Sequence, residues 1–252
     1  MPDAISYHRD GPCVTLRLDQ PDRHNRLSVA DLALFAELLD RAEAEPTARV
    51  IMLRAAPGPI FCAGFEIDAL QATDWQDNQF ARTVARLERT RLPVICEIGG
   101  AIYGGACELA LVCDLRIGTA GIVLQLPPAK LGLVYFPDGL ERFVRRLGPG
   151  ATKRLVLTAE KVTGAELSRL GFLDYLVPEE TLAAETQALA ERIAALAPGA
   201  VQEMKRTIDG VVRGDLNTDK ALERAVRSFG SNEAREGIAA FQEKRDPNFT
   251  DG

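Results

Sequence analysis

Short apolar runs alternate with amphipathic stretches along this chain. In residues 14–18, valine and leucine alternate with threonine and arginine, which is the pattern of a strand with one buried face. The apolar runs 50–53 and 94–98 are typical of buried strands, and 115–117 and 123–125 are further strand candidates. Because helical patterns separate these runs, the sequence predicts an α/β fold.

The first long helix is predicted to begin after Ser28. Asp31 follows three residues later, as in a capping box, in which the two side chains hydrogen-bond to the backbone of the first turn. Apolar residues then recur at helical spacing on one face: Leu32, Phe35, Leu39 and Ala42. From Gly148 onward the pattern is mainly helical, and from about Pro178 the helices carry leucine-rich and alanine-rich faces.

Residues 99–110 combine a glycine-rich turn with the start of a predicted helix. The first N–H groups of a helix lack intrahelical partners and carry the positive end of its dipole, so they can hold an oxygen that gains negative charge. Gly104 and Gly105 would let that oxygen approach the backbone closely. Glu108 lies one turn inside the helix, where burial would raise its pKa and suit it to proton transfer. The alternative is a tight packing turn with a solvated glutamate.

A second strand–loop–helix segment has the same layout. The run 50–53 leads through the turn-rich residues 55–60 into residues 61–68, which read Phe-Cys-Ala-Gly-Phe-Glu-Ile-Asp and lead into another helix-like stretch. Two such segments suggest two backbone donors for one oxygen.

Residues 61–68 and 103–110 resemble the two signature segments of the crotonase (enoyl-CoA hydratase/isomerase) superfamily. The resemblance continues through four other segments: 25–28, 113–114, 127–133 and 241–249. It implies an α/β fold in which a spiral of ββα repeats, residues 1–190, is followed by a helical oligomerisation region, residues 191–252. It also implies a homotrimer or a dimer of trimers, and an enzyme of acyl-CoA and fatty acid metabolism.

The same resemblance assigns roles to individual residues. The N–H groups of Phe65 and Gly105 match the oxyanion hole that receives the thioester oxygen of an acyl-CoA, and Glu108 matches an acid/base glutamate. An enolate formed beside a thioester needs such donors, and losing one typically costs about 100- to 1000-fold in rate. Six further residues match or neighbour positions that contact coenzyme A: Arg23, Arg26, Ala63, Asp68, Phe241 and Lys244. For the arginines, a solvated surface role is the alternative.

The chain departs from the family pattern where a second glutamate is usual. That position is Pro128, and the following Pro-x-x-Gly-Gly segment has Tyr135 in place of its proline and Asp138 in place of its first glycine. Tyr135 or Asp138 could supply the missing partner. Alternatively, Pro128 and Tyr135, together with the C-terminal residues 243–249, resemble the methylmalonyl-CoA decarboxylase branch.

Composition adds limits to these expectations. The 252 residues are 46% hydrophobic, enough for one sizeable core, and the net charge of −6 argues against nucleic acid as a partner. Residues 98–113 are nearly uncharged, but a central glutamate costs roughly 2.5–3.5 kcal/mol in a membrane span, so no membrane partner is expected. With no targeting segment visible at its amino terminus, the chain is expected to be cytoplasmic.

Competing chemistries find little support in the sequence. There is no Gly-x-Ser-x-Gly or nucleotide-binding motif, and only His8 and His24 could serve as histidine bases. Five cysteines lack metal-like spacing and are interpreted as reduced core residues, although Cys62 and Cys107 adjoin the proposed oxyanion loops. No metal is expected, and coenzyme A is part of the substrate rather than a cofactor.

Three functions therefore stay open. The default is an enoyl-CoA hydratase or isomerase with Glu108 as its acid/base. The second is a decarboxylase of methylmalonyl- or ethylmalonyl-CoA, because loss of CO2 produces an enolate without a base. The third is a non-catalytic protein that binds CoA thioesters, although a buried carboxylate without a task is costly.

Overall fold

The computed structural model of the protein describes residues 4–66 and 78–249. The strands in these residues are β1 (Ile5–Asp10), β2 (Cys13–Leu18), β3 (Val50–Ala55), β4 (Ile60–Cys62), β5 (Val94–Ile98), β6 (Ala101–Tyr103), β7 (Leu115–Gly118), β8 (Val123–Gln125), β9 (Val162–Thr163) and β10 (Tyr175–Leu176). The helices are α1 (Val29–Ala44), α2 (Gln79–Glu88), α3 (Gly105–Leu111), α4 (Pro137–Thr158), α5 (Gly164–Arg169), α6 (Leu182–Ala194), α7 (Pro198–Arg213), α8 (Thr218–Ser228) and α9 (Asn232–Glu243).

The strands form two sheets that the chain visits in turn. The larger sheet has the order β1-β2-β3-β5-β7-β10, and the smaller has the order β4-β6-β8-β9. The pairs β3/β4, β5/β6 and β7/β8 each contribute one strand to each sheet, and equivalent strands of successive turns pair in parallel. The chain therefore advances as a spiral, which brings equivalent loops of successive turns side by side.

The predicted alternation is confirmed in β2, and the continuous buried run predicted at residues 50–53 is confirmed in β3. Val14 and Ile51 face the main core, whereas Cys13 and Val50 point to the opposite face of the larger sheet. On that face α6 covers the strands with four apolar side chains: Leu182, Leu189, Ala190 and Ala194. Residues 50–53 of β3 are buried on both faces, because each alternate set of side chains has its own apolar partner, whereas Arg17 of β2 is exposed.

Two local predictions have different outcomes. The Ser28 capping box is confirmed, since its side chain accepts from the Asp31 N–H and the Asp31 carboxylate accepts from the Ser28 N–H. The turn expected between β5 and α3 contains the additional strand β6, because residues 101–103 pair with β4 and β8 of the smaller sheet. The helix expected after residue 66 would lie in residues 67–77, outside the described residues.

The last helices lie outside the two sheets. The predicted division between residues 190 and 191 falls within α6, which packs on the larger sheet, and the domain assignment stays a prediction. Helix α4 bends at Gly148, where φ is +75°, immediately before Pro149. Within residues 4–66 and 78–249, no helix is both long enough and apolar enough to cross a bilayer.

Candidate active site

The turn at residues 24–27 is hydrogen-bonded to the loop that follows β4. The Ala63 N–H donates to the His24 carbonyl at 2.9 Å, and the Leu27 N–H donates to the Gly64 carbonyl at 2.9 Å. The Glu66 N–H donates in turn to the Leu27 carbonyl at 3.1 Å. In this parallel bridge the N–H of Phe65 points away from Leu27. Backbone hydrogen bonds therefore join the turn at residues 24–27 to the loop at residues 63–66.

The buried side chain of Asn25 adds hydrogen bonds between this turn and β4. Its side-chain amide donates to the Phe61 carbonyl at 2.9 Å, and its Oδ1 accepts from the Gln20 N–H at 2.8 Å. The Cys62 thiol donates to the Asn25 carbonyl at 2.9 Å. Burial raises the pKa of Cys62 to about 12, so the thiol stays protonated and serves as a buried hydrogen-bond donor.

The two glycine loops meet at Gly64 and Gly105. Gly64 has φ of +88°, and a Cβ there would lie 2.6 Å from the Tyr103 carbonyl oxygen and 3.1 Å from the Gly105 nitrogen. A Cβ on Gly105 would lie 2.8 Å from the Phe80 ring of α2. No side chain larger than hydrogen fits between these loops without displacement. The backbone of residues 64–65 therefore lies against the first turn of α3.

Glu108 is the buried carboxylate of this region, with 3% of its surface exposed. The Tyr135 hydroxyl donates to its Oε2 at 2.8 Å, and Arg142 Nη1 donates to its Oε1 at 2.8 Å. Burial raises the pKa of Glu108 above its ordinary value, while these two donors oppose the rise. Burial also raises the pKa of Tyr135, with the Glu108 charge adding to the effect, so Tyr135 stays a protonated donor.

The guanidinium of Arg142 on α4 contacts Glu108 on α3 and Glu88 on α2. No pattern in the sequence had identified Arg142 as a site residue. The same Nη1 lies 3.1 Å from Asp138 Oδ2, and Nε lies 3.3 Å from Glu88 Oε2 at the end of α2. Asp138 therefore reaches the site through Arg142, and its own side chain is about half exposed. The i,i+4 spacing of Asp138 and Arg142 was the available sequence signal. The link from Arg142 to Glu108 spans 34 residues and has no local signature.

Gly139 permits the contact between Tyr135 and Glu108. A Cβ on this glycine would lie 2.4 Å from the Tyr135 ring and 2.7 Å from Glu108 Oε2. The ring of Phe143, one turn further along α4, meets Tyr135 edge-on at 6.1 Å between centroids. Pro128, the position of the usual second glutamate, opens a short 3-10 helix over Pro128–Leu131 and supplies no ionisable group.

The predicted coenzyme A contacts are only partly brought together. Arg23 is exposed and pairs with Glu66, and the Arg26 guanidinium donates to the Arg23 carbonyl at 3.2 Å, so both flank the loop that contains Ala63. Phe241 is 85% exposed and Lys244 is exposed at the end of α9. Between described residues, no hydrogen bond or ion pair joins either of them to that loop. Asp68 lies outside the described residues.

Comparison with known proteins identifies the family. A model described as enoyl-CoA hydratase/isomerase matches residues 10–252, and the chain belongs to that family, within the crotonase superfamily. It is 31% identical over 243 residues to the mouse enoyl-CoA hydratase domain-containing protein 2, mitochondrial, covering 92% of this chain and 82% of that protein. It is 28% identical over 256 residues to a crotonyl-CoA hydratase of Syntrophomonas wolfei, covering 98% of each.

A solved structure has the same fold. An enoyl-CoA hydratase/carnithine racemase from Magnetospirillum magneticum matches with a TM-score of 0.94 at 29% identity, covering 99% of this chain and 96% of that one. The α/β spiral is therefore the crotonase fold, as the sequence predicted. The decarboxylase branch, the oxyanion hole and the individual site residues stay predictions.

Proposed function

We propose that this protein acts on enoyl-CoA thioesters, with Glu108 as its single acid/base and the N–H groups of Phe65 and Gly105 as an oxyanion hole. The observation that carries the proposal is the buried Glu108 carboxylate, held on both oxygens by Tyr135 and Arg142. A carboxylate with a raised pKa and fixed geometry is suited to moving a proton at carbon. The family match supports an acyl-CoA substrate.

The close approach of Gly64 to Gly105 supports the proposed oxyanion hole. Only 3.1 Å would separate a Cβ on Gly64 from the Gly105 nitrogen. The two loops therefore lie close enough for one oxygen to accept from the N–H groups of both Phe65 and Gly105. The Gly105 N–H is the first of α3, where no intrahelical carbonyl is in reach. Two fixed donors at a thioester oxygen would stabilise an enolate without rearrangement.

The charges around Glu108 favour a substrate with a neutral acyl group. Three carboxylates, Glu88, Glu108 and Asp138, already surround the Arg142 guanidinium. A malonyl-type carboxylate placed there would add a fourth negative charge, and like charges within a few ångströms disfavour the ionised state. Decarboxylation of a malonyl-type CoA is therefore the weaker candidate function.

Double-bond isomerisation is the reaction that a single base can complete. Glu108 would remove a proton from the carbon beside the thioester, the enolate would delocalise over the adjacent double bond, and Glu108, after exchanging its proton with solvent, would deliver a proton to the far carbon. No atom is gained or lost. Hydration is the second candidate, and it is favoured by the protonated Tyr135 beside Glu108, which could orient a water molecule in place of the second glutamate.

A substrate panel tests the reaction. Purified protein is incubated with 3-hexenoyl-CoA, crotonyl-CoA, methylmalonyl-CoA and ethylmalonyl-CoA in D2O, and the products are separated by mass. We expect isomerisation of 3-hexenoyl-CoA to exceed the other reactions, with deuterium incorporated into the product. Rapid crotonyl-CoA hydration would favour Tyr135 or Asp138 as the second group, and CO2 release would favour the decarboxylase. Binding without turnover of any substrate would favour the non-catalytic protein.

The variant Glu108→Gln tests the role of the carboxylate. We expect kcat to fall by at least about 100-fold, the typical contribution of general acid–base catalysis, while CoA binding measured by calorimetry stays near wild type. Wild-type turnover in Glu108→Gln would remove Glu108 from the mechanism.

Tyr135→Phe removes one hydrogen bond to a charged group and is expected to cost about 1.5–3 kcal/mol of transition-state stabilisation.

The exposed apolar faces of α7, α8 and α9 support a homo-oligomer, which we propose to be a trimer. These helices enclose a mainly apolar groove of about 910 Å³. Large side chains stand half or more exposed on all three helices: Met204, Ile208, Val211, Leu222, Val226 and Ile238. Contiguous apolar surface of this kind marks a protein–protein interface.

A further inference from the structure

We propose that Arg142 is the positioning residue of this site. It holds Glu108 through Oε1 and places a positive charge beside the carboxylate, which leaves Oε2 as the oxygen that exchanges a proton with the substrate. This inference rests on the proposed acid/base role of Glu108.

Arg142 is held more firmly than a single ion pair would hold it. Its guanidinium contacts carboxylates on α2, α3 and α4, at 3.3 Å to Glu88, 2.8 Å to Glu108 and 3.1 Å to Asp138. Only 11% of its side chain is exposed. A planar guanidinium with its donors in a fixed fork can satisfy several acceptors at once, which a lysine ammonium on a flexible stem does less well. The orientation of Glu108 is thus set by three helices together.

The two oxygens of Glu108 have different surroundings. Oε1 is bound by the arginine, which transfers no proton at physiological pH. Oε2 accepts one hydrogen bond from Tyr135 and retains a second lone pair. It also faces the backbone of Gly139, where a Cβ would lie only 2.7 Å away. Because residue 139 has no side chain, its backbone packs directly against Oε2, the oxygen that Arg142 does not contact.

Arg142 also supplies the positive charge that opposes protonation of Glu108. Burial favours the neutral acid, and the nearby Asp138 carboxylate adds to that tendency. The opposing groups are the Tyr135 hydroxyl and the Arg142 guanidinium, while Glu88 faces the guanidinium from α2. With the arginine removed, burial and Asp138 act with only Tyr135 against them. Glu108 would then become protonated at a higher pH, and a smaller fraction of it would be ready to accept a proton near neutrality.

The direct test follows the titration of Glu108 by NMR. Protein labelled with 13C at the glutamate side-chain carboxyl is titrated, and the Glu108 signal is identified by its loss in Glu108→Gln. In Arg142→Met we expect the midpoint to rise by about 1 unit or more, as for a carboxyl that loses an adjacent cation. An unchanged midpoint in folded Arg142→Met would overturn the inference. Because no substrate is used, the result stands even if the proposed reaction is wrong.

Activity provides a second readout. In Arg142→Met we expect kcat near neutral pH to fall at least about tenfold and to recover partly as pH rises above the shifted midpoint, with KM nearly unchanged. Arg142→Lys keeps the charge but not the fork, so its midpoint is expected near wild type and its kcat reduced. Arg145→Met is the matched control, since Arg145 lies on the same helix and pairs with Glu141 at the surface.

The lysine variant keeps the proposal testable if Arg142→Met does not fold. Wild-type kcat in folded Arg142→Lys would contradict the positioning role, since one ammonium would then suffice. An equal loss of activity in Arg145→Met would also contradict it, because the effect would then belong to α4 as a whole.

Discussion

The contact between Tyr135 and Glu108 depends on a glycine at position 139. Its α-carbon lies where Tyr135 and Glu108 approach one another, and a methyl group would overlap the tyrosine ring at 2.4 Å. The glycine is buried within the first turn of α4. Since core packing relaxes only partly around an added atom, the ring or the carboxylate would have to move.

We therefore predict that Gly139→Ala separates Tyr135 from Glu108 and lowers kcat at least about tenfold, because small displacements of a catalytic group are costly. Gly150→Ala is the matched control on the same helix, where a Cβ meets nothing within 4 Å. Alanine is favoured over glycine in a helix by about 1 kcal/mol, so the control should be fully active and no less stable. Steady-state kinetics and thermal unfolding of both variants decide the point. Full activity in Gly139→Ala would show that the contact is dispensable.

The sequence predicted Glu108 as the acid/base group but did not predict which residues hold it. Glu108 could be predicted because its glycine-rich context lies within a few residues of it. Arg142 lies 34 residues away on another helix, and Glu88 lies 54 residues from Arg142. Such contacts depend on how α2, α3 and α4 pack, which no local pattern encodes. Asp138 was predicted as a candidate for the site, but its partner in the structure is the arginine.

At the scale of elements, local chemistry decided which predictions succeeded. The capping box of α1 needs only residues 28–31, and strands such as β2 and β3 show clear alternation or continuous apolar runs. β6 is three residues long and flanked by glycines, so its pairing with β4 and β8 comes from the spiral rather than from its own pattern. Short strands in tight loops therefore escape periodicity arguments.

The cap of α1 gives a stability prediction. Ser28→Ala removes the acceptor for the Asp31 N–H and should lower the free energy of unfolding by about 1 kcal/mol. Thr163 precedes α5 in the corresponding position, but its side chain makes no capping hydrogen bond. Thr163→Ala should therefore cost much less. Chemical denaturation of the two variants measures the difference, and equal losses would mean that the Ser28 cap adds nothing.

The whole molecule combines a well-covered spiral with a helical end whose apolar side chains face outward. α6 buries its apolar face on the larger sheet, whereas α8 has no buried residue. Because short helices are marginal in water without tertiary packing, the proposed subunit contact would add stability at this end of the molecule. The composition of the helices suggested such packing, but periodicity alone could not distinguish the same chain from another.

We predict that acidic substitutions in the apolar groove dissociate the proposed trimer. Ile208→Glu on α7 and Leu222→Glu on α8 replace groove-lining side chains that are each 62% exposed. Size-exclusion chromatography with light scattering should show the mass falling from that of a trimer toward the 27.4 kDa of one chain. Leu157→Glu, at a 73% exposed position on α4, is the control. A wild-type protein that elutes as a monomer would refute the proposal.

The hydrogen bonds of Asn25 limit how this enzyme could be re-engineered. One side chain ties the turn at residues 24–27 to the carbonyl of Phe61, and its own carbonyl accepts the Cys62 thiol. Grafting a relative's turn alone would leave these buried polar groups without partners, and each orphaned group costs about 1–3 kcal/mol. The turn and the β4 loop are therefore a single exchangeable module. Libraries that recombine relatives should place their crossovers outside residues 20–66, so that both halves of the module come from one parent.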